Sequence, residues 1–247
     1  MVTAIGREAR AAFALRSVVF GADRLRALFP ALVLVPHPDD ETLGCGGLIA
    51  TAASMKLDLK LAFLTDGGGS HLGSPTWTRE RLVATRKHEA LLATACLGVD
   101  GEDVEFLGWP DGHPFAAGNP AFEATLSRLE TLCLELEPSS IWATWEHEPH
   151  VDHRGAAVVA DALVARLSAR PQRLSYLVWG WQLPEAAATD PVLRLDCADT
   201  IERRQRALGC HRTQTSDLIS DATQGFRIPP ELTALTREPC EYYLPCR

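Results

Sequence analysis

Two short strings in this chain carry unusual chemistry. The first is Pro36-His37-Pro38-Asp39-Asp40-Glu41, directly after the apolar run Ala31-Leu-Val-Leu-Val35. The second is His147-Glu-Pro-His150-Val-Asp152-His153, shortly after Ile141–Trp145. Imidazole and carboxylate together suit a borderline divalent ion such as Zn2+. In the first string Pro38 stiffens the turn and two adjacent acids point in different directions. One can bind a metal while its neighbour faces a water. In the second, His150 and His153 are three apart and share a face if a helix starts there. Three of the chain's 8 histidines fall in that window. The plain alternatives are helix capping by Asp39, Asp40 or Asp152, with solvated histidines. Each is credible alone; the conjunction of both strings argues against them.

A catalytic zinc takes three protein ligands and leaves a fourth position open. Two neutral histidines and one carboxylate leave the ion a net positive charge, which acidifies a bound water and polarises a carbonyl. A further carboxylate can take the water's proton. A further histidine can stabilise an oxyanion or protonate a leaving group. The residues read as a metal-assisted hydrolase of an amide or ester, and residue chemistry alone stops there.

These groups need elements to position them, and β-type runs alternate with helical ones. Strands are expected at Ala31–Val35, Leu57–Thr65, Asp103–Leu107, Ile141–Trp145, Leu174–Trp181 and Val192–Leu195. Helices are expected at Glu41–Met55, Thr78–Leu97 (stopped by Gly98), Pro120–Leu136, His153–Ala169 and Thr200–His211. The continuous apolar first strand suits burial on both faces. This order predicts an α/β fold, a Rossmann-like, mostly parallel sheet with helices on both faces. Ligands then bind at the C-terminal ends of the strands, where both strings fall. We expect one domain over 1–247, with an amphipathic N-terminal helical arm at about 1–28 and an irregular tail. The arm either covers the domain edge or supports a homo-oligomer.

Composition limits the alternatives. With 24 Lys+Arg against 32 Asp+Glu, the 247-residue chain has a net charge of −8. That disfavours general binding to nucleic acid or anionic membrane. No apolar run reaches membrane-spanning length, and Arg16 and Asp23 break up the N-terminal apolar stretch, so no secretory signal is read. The 7 cysteines form no C-x-x-C pair. They read as reduced thiols in a cytoplasmic protein, not as zinc ligands or a disulfide frame.

The two strings resemble those of the LmbE-like (PIG-L) zinc-dependent N-deacetylases. Matches between them come in the family's order: Leu64-Thr-Asp-Gly67, Arg86-Lys-His-Glu89 and Phe106-Leu-Gly-Trp-Pro-Asp-Gly112. The likeness runs from about Leu32 to His153, and more weakly to Thr213-Gln214, where a Ser-Gln pair is often expected. It implies that His37, Asp40 and His153 hold Zn2+, with another divalent ion as the alternative. Asp39 would be the general base. His150 would stabilise the oxyanion or act as acid, with Asp152 orienting its imidazole. Arg86 and Asp111 match positions that contact substrate hydroxyls, and Glu89 reads as a structural ion-pair partner. The implied substrate is a small amino-sugar conjugate, deacetylated to a free amine and acetate, and family habit leans toward an oligomer.

The glycine-rich loop 67–78 reads as a lid or substrate wall, or as a plain surface loop. In it His71 and Trp77 are candidate sugar contacts, as are Trp179 and Trp181 further on. Other readings are a zinc amidase for a non-sugar metabolite, an inactive metal-binding relative, and a nucleotide-binding module built on Gly44-Cys-Gly-Gly47. That last string lacks the spacing that close phosphate approach requires.

Overall fold

The computed structural model describes residues 2–113, 119–183 and 192–246. Its strands are β1 (Val18–Val19), β2 (Ala31–Val35), β3 (Leu59–Thr65), β4 (His71–Leu72), β5 (Val104–Trp109), β6 (Ser140–Thr144), β7 (Gln172–Tyr176), β8 (Leu193–Asp196), β9 (Gln224–Gly225) and β10 (Cys240–Pro245). The helices are α1 (Val2–Arg16), α2 (Ala22–Arg26), α3 (Asp40–Ser54), α4 (Arg79–Leu97), α5 (Pro120–Leu136), α6 (Val151–Arg166), α7 (Ile201–Cys210), α8 (Arg212–Thr215) and α9 (Pro230–Leu235).

The main sheet has the order β1-β8-β10-β7-β6-β2-β3-β5. Only β10 runs antiparallel to its neighbours; the other pairings are parallel. Side-chain alternation explains why a run such as β2 is apolar throughout. Ala31, Val33 and Val35 join a core that also holds Leu48, Ala93 and Ala207 of α3, α4 and α7. Leu32 and Leu34 join the opposite core, with Leu129 of α5 and Val159 of α6. Helices thus cover both faces, as expected.

Local signals set several boundaries. The Thr78 side chain caps α4 by accepting from Arg81 N–H, and Gly98 ends the helix at φ 94°, where a side chain would be strained. Pro120 occupies the first turn of α5 and Asn119 caps it.

Three expectations are corrected. The N-terminal segment is not one helix: α1 ends at Arg16, and Val18 and Val19 pair with Leu193 and Arg194. Phe13 of α1 packs against Trp181 and Tyr242 of the same chain, so the arm covers its own domain. The strand expected to reach Trp181 stops at Tyr176. A buried glutamate takes the backbone N–H groups of residues 178–180, leaving none for a sheet ladder. The tail is not irregular: β10 lies inside the sheet, between β7 and β8.

The chain leaves β2 toward β3 and β5, then returns to place β6 on the other side of β2. The C-terminal ends of β2 and β6 therefore flank the point where strand order reverses, the usual crevice of such sheets. The His-Pro-Asp-Asp string follows β2, and the His-Val-Asp-His string follows β6.

Candidate active site

The turn after β2 is unusually constrained. Asp39 has φ 140° and ψ −27°, a region that favours glycine. Three contacts hold it there: its N–H donates to Glu41 Oε2 at 2.9 Å, and its carbonyl accepts from the N–H groups of Thr42 and Leu43. Backbone thus begins α3, and the Asp39 side chain makes no cap bond. The carboxylate is free to face a cavity instead. Backbone strain of this kind, held by its surroundings, is typical of functional sites.

Three donor groups converge beside it. Asp40 Oδ2 lies 3.1 Å from His37 Nδ1 and 3.1 Å from His153 Nε2. Each histidine gives its other nitrogen to a different carboxylate. His37 Nε2 is 3.0 Å from Asp152 Oδ2, and His153 Nδ1 is 3.2 Å from Glu148 Oε2. His153 Nε2 is buried, and its close contact with Asp40 lacks hydrogen-bond geometry. Donor atoms of His37, His150 and His153 also lie within 4.8 Å of one another, as do those of His37, Asp111 and Asp152. A buried imidazole nitrogen against a carboxylate, with both rings oriented by further carboxylates, suits a divalent cation.

The charges agree. Burial works against a charged His37, but hydrogen bonds to Asp111, Asp152 and Asp40 outweigh it and raise its pKa well above the usual value. Burial likewise opposes His153, yet Asp40 and Glu148 push it up to about 9. Despite burial, the two rings hold Asp40 far below the usual carboxylate range. The site is built to receive positive charge. Burial, followed by the two neighbouring histidines, lowers His150. Burial raises Asp39 to about 7, although Arg86 pulls the other way.

Asp152 requires a correction. Its carboxylate orients His37, and it also accepts Gly112 N–H at 2.8 Å. Only its backbone N–H meets His150, at Nδ1, 3.2 Å away. Among the described residues no hydrogen bond joins the Asp152 carboxylate to the His150 ring. His150, not Asp152, is the helix cap.

The remaining candidates separate. A cavity of about 210 Å3 is lined by His37, Asp39, Asp40, Arg86, Asp111 and His150, with Leu43, Trp179, Phe226 and Ile228 as apolar wall. Gly69 and Ser70 of the glycine-rich loop also reach it. That loop is tied down, since His71 and Leu72 pair with Gly225 and Gln224. Arg86 is only 3% exposed and its terminal nitrogens are occupied. They bond Gly67 O at 2.7 Å, Pro38 O at 2.7 Å and Asp39 Oδ2 at 3.1 Å. Arg86 braces the Asp39 turn. Asp111 remains a wall residue, with Oδ2 accepting from Gly69 N–H. His71 does not line the cavity; it is buried beside Ser70 Oγ. Trp77 stacks under Arg81, and Trp181 packs against α1. Among the described residues Glu89 makes no ion pair; it accepts from the Thr213 N–H and Oγ1–H. Gly44 and Gly47 lie inside α3, where the first admits the Tyr176 ring and the second Cys197 and Glu241. They serve packing, not a phosphate loop.

Five residues had no assigned role: Glu148, Glu41 and its partner His211 (2.7 Å apart), Phe226 and Ile228. Glu148 lies inside the second string, yet its role depends on amides after β7. The two apolar residues come from the tail.

The matching family model is PIG-L, GlcNAc-PI de-N-acetylase, over residues 32–164. A Bacillus subtilis protein named "Probable N-acetyl-alpha-D-glucosaminyl L-malate deacetylase 2" is 30% identical over 201 residues, covering 79% of this chain and 88% of the relative. The fold matches N,N'-diacetylchitobiose deacetylase from Pyrococcus horikoshii at TM-score 0.61 and 21% identity, over 82% of this chain and 84% of that one. It also matches GalB, the 4-carboxy-2-hydroxymuconate hydratase from Pseudomonas putida KT2440, at TM-score 0.60 and 22% identity, over 73% and 77% of the chains. The two solved structures share the fold but differ in chemistry, so fold alone does not choose between them. The family model and the Bacillus sequence do place the chain: it belongs to the PIG-L family.

Proposed function

We propose that this protein is a Zn2+-dependent N-deacetylase of an N-acetylglucosaminyl conjugate. The observation that carries it is the buried convergence of His37, Asp40 and His153 next to Asp39, at a cavity lined by both polar and apolar side chains. The relative named for an N-acetylglucosaminyl malate supports the sugar class. Free cysteines support a reducing, cytoplasmic setting.

His37 Nδ1, Asp40 Oδ2 and His153 Nε2 would hold the ion. When bound, it supplies Lewis-acid polarisation and acidifies water at this spot. Asp39, raised to about 7 by burial, takes a proton from the attacking water. Arg86 holds that carboxylate and its turn in place. His150 accepts Asp152 N–H at Nδ1, so its neutral ring carries the proton at Nε2. That N–H donates to the oxyanion developing from the acetamide carbonyl. The proton held by Asp39 then passes to the departing amine, leaving acetate and a free amino sugar. Trp179, Phe226 and Ile228 offer an apolar surface to a pyranose face, and Asp111 offers an acceptor to a hydroxyl.

The test is amine release by Zn2+-loaded protein from a panel of N-acetylglucosaminyl conjugates, a malate glycoside included, beside acyclic N-acetyl amides. Release from the sugars is expected. Turnover confined to the acyclic amides would overturn the sugar assignment, and no turnover on either would overturn the deacetylase.

A further inference from the structure

Glu148 is fully buried, and its side-chain cation partner among the described residues is His153. Oε1 accepts from Val178 N–H at 2.8 Å and Gly180 N–H at 2.8 Å. Oε2 accepts from Trp179 N–H at 2.9 Å and lies 3.2 Å from His153 Nδ1. A buried carboxylate is costly unless its lone pairs are occupied, and four N–H groups from two segments occupy these. An ionised carboxylate only accepts. Glu148 therefore holds a proton on His153 Nδ1, so that the proton a divalent ion displaces is the one on Nε2, beside Asp40. The three amides it gathers form the turn that sets Trp179 in the cavity wall, 5.8 Å from the Phe226 ring.

We infer that Glu148 is a positioning residue with two outputs: it fixes the metal-competent tautomer of His153, and it anchors the substrate wall at Trp179. This rests on the reading of His153 as a metal ligand. Glu148→Gln is nearly isosteric and separates the roles. The amide oxygen can serve Val178 and Gly180, while the amide nitrogen meets Trp179 N–H and His153 Nδ1. As a donor it favours the opposite His153 tautomer, whose protonated Nε2 cannot ligate.

The experiment measures Zn2+ affinity by chelator competition for wild type, Glu148→Gln and Glu148→Asp, with far-UV circular dichroism and the unfolding midpoint of each metal-free protein. A roughly 10- to 100-fold loss of Zn2+ affinity is expected for Glu148→Gln, with partial recovery in Glu148→Asp, which keeps an acceptor-only carboxylate. KM for the sugar conjugate should rise in the Gln variant even at saturating Zn2+, because the Trp179 turn loses an acceptor. A folded Glu148→Gln protein that binds Zn2+ as wild type does would overturn the inference and leave the deacetylase reading standing. Wild type that binds no Zn2+ would overturn both. Nitrogen NMR of the histidine rings in Zn2+-loaded wild type needs no variant: a proton on His153 Nδ1 supports the inference, and one on Nε2 defeats it.

Discussion

Asp39 and Asp40 are neighbours in sequence and opposites in environment. Asp40 sits between two imidazoles and is held ionised. Asp39, one residue earlier, is turned by its positive φ into a buried position against Arg86, and burial raises it to about 7. Adjacent carboxylates pushed apart in this way suit a ligand and a base. Asp39→Asn preserves shape and removes the base. It should keep Zn2+ content near wild type and lower kcat by about 10²- to 10⁴-fold, read by metal analysis and amine release. Retained turnover would remove Asp39 from the base role. His37, Asp39, Asp40, His150, Asp152 and His153 were legible as candidates from the two strings, and Arg86 and Asp111 only through the family resemblance. Which carboxylate faces which ring was not, and Asp152 shows why: its backbone serves His150 while its side chain serves His37.

At the scale of elements, α3 is the informative case. It is two helical pieces joined at Cys45, whose φ of −147° is not helical. That break frees the N–H groups of Gly47 and Leu48, which donate to Glu241 of β10 at 2.7 and 2.9 Å. The tail strand thus caps a helix that begins at the metal-site turn. Glu241→Ala would leave these buried amides unpaired, each costing about 1–3 kcal/mol. Urea denaturation should show a loss of stability of that order, without a change in the identity of the Zn2+ ligands. The main-sheet strands and the helices between residues 31 and 166 were readable to within a few residues because period and end signals are local, whereas β4, inside the glycine-rich loop, was not. Nor was β10. Its short Cys-Glu-Tyr-Tyr-Leu-Pro run looks unremarkable until β7 and β8 are seen to need a partner between them.

At the scale of the whole molecule, the site sits where strand order reverses between β6 and β2, and residues from both halves of the chain close it. Metal binding should therefore stabilise the entire domain. With free Zn2+ at a hundredfold excess over Kd, linkage gives about 2.7 kcal/mol, and a chelator should lower Tm by roughly 5–10 °C. An unchanged Tm would argue against an ion bound only by the folded state. Deleting residues 240–247 should do more. Without β10 the sheet parts between β7 and β8, and we expect loss of soluble, cooperatively unfolding protein, checked by size-exclusion chromatography and circular dichroism.

By itself the sequence determined the inventory of reactive groups, their order along the chain, the alternation that builds a parallel sheet, and the placing of both strings at strand ends. Those features depend on residue type and on neighbours a few positions away. Only the tertiary structure decided the pairing of Asp152 with His37, the bracing of Asp39 by Arg86, the capture of His153 and the Trp179 turn by Glu148, and the entry of the tail into the sheet. Most of these contacts join distant segments, and several run through backbone amides, which every residue carries alike. No side-chain pattern along the sequence marks which amide will meet which carboxylate.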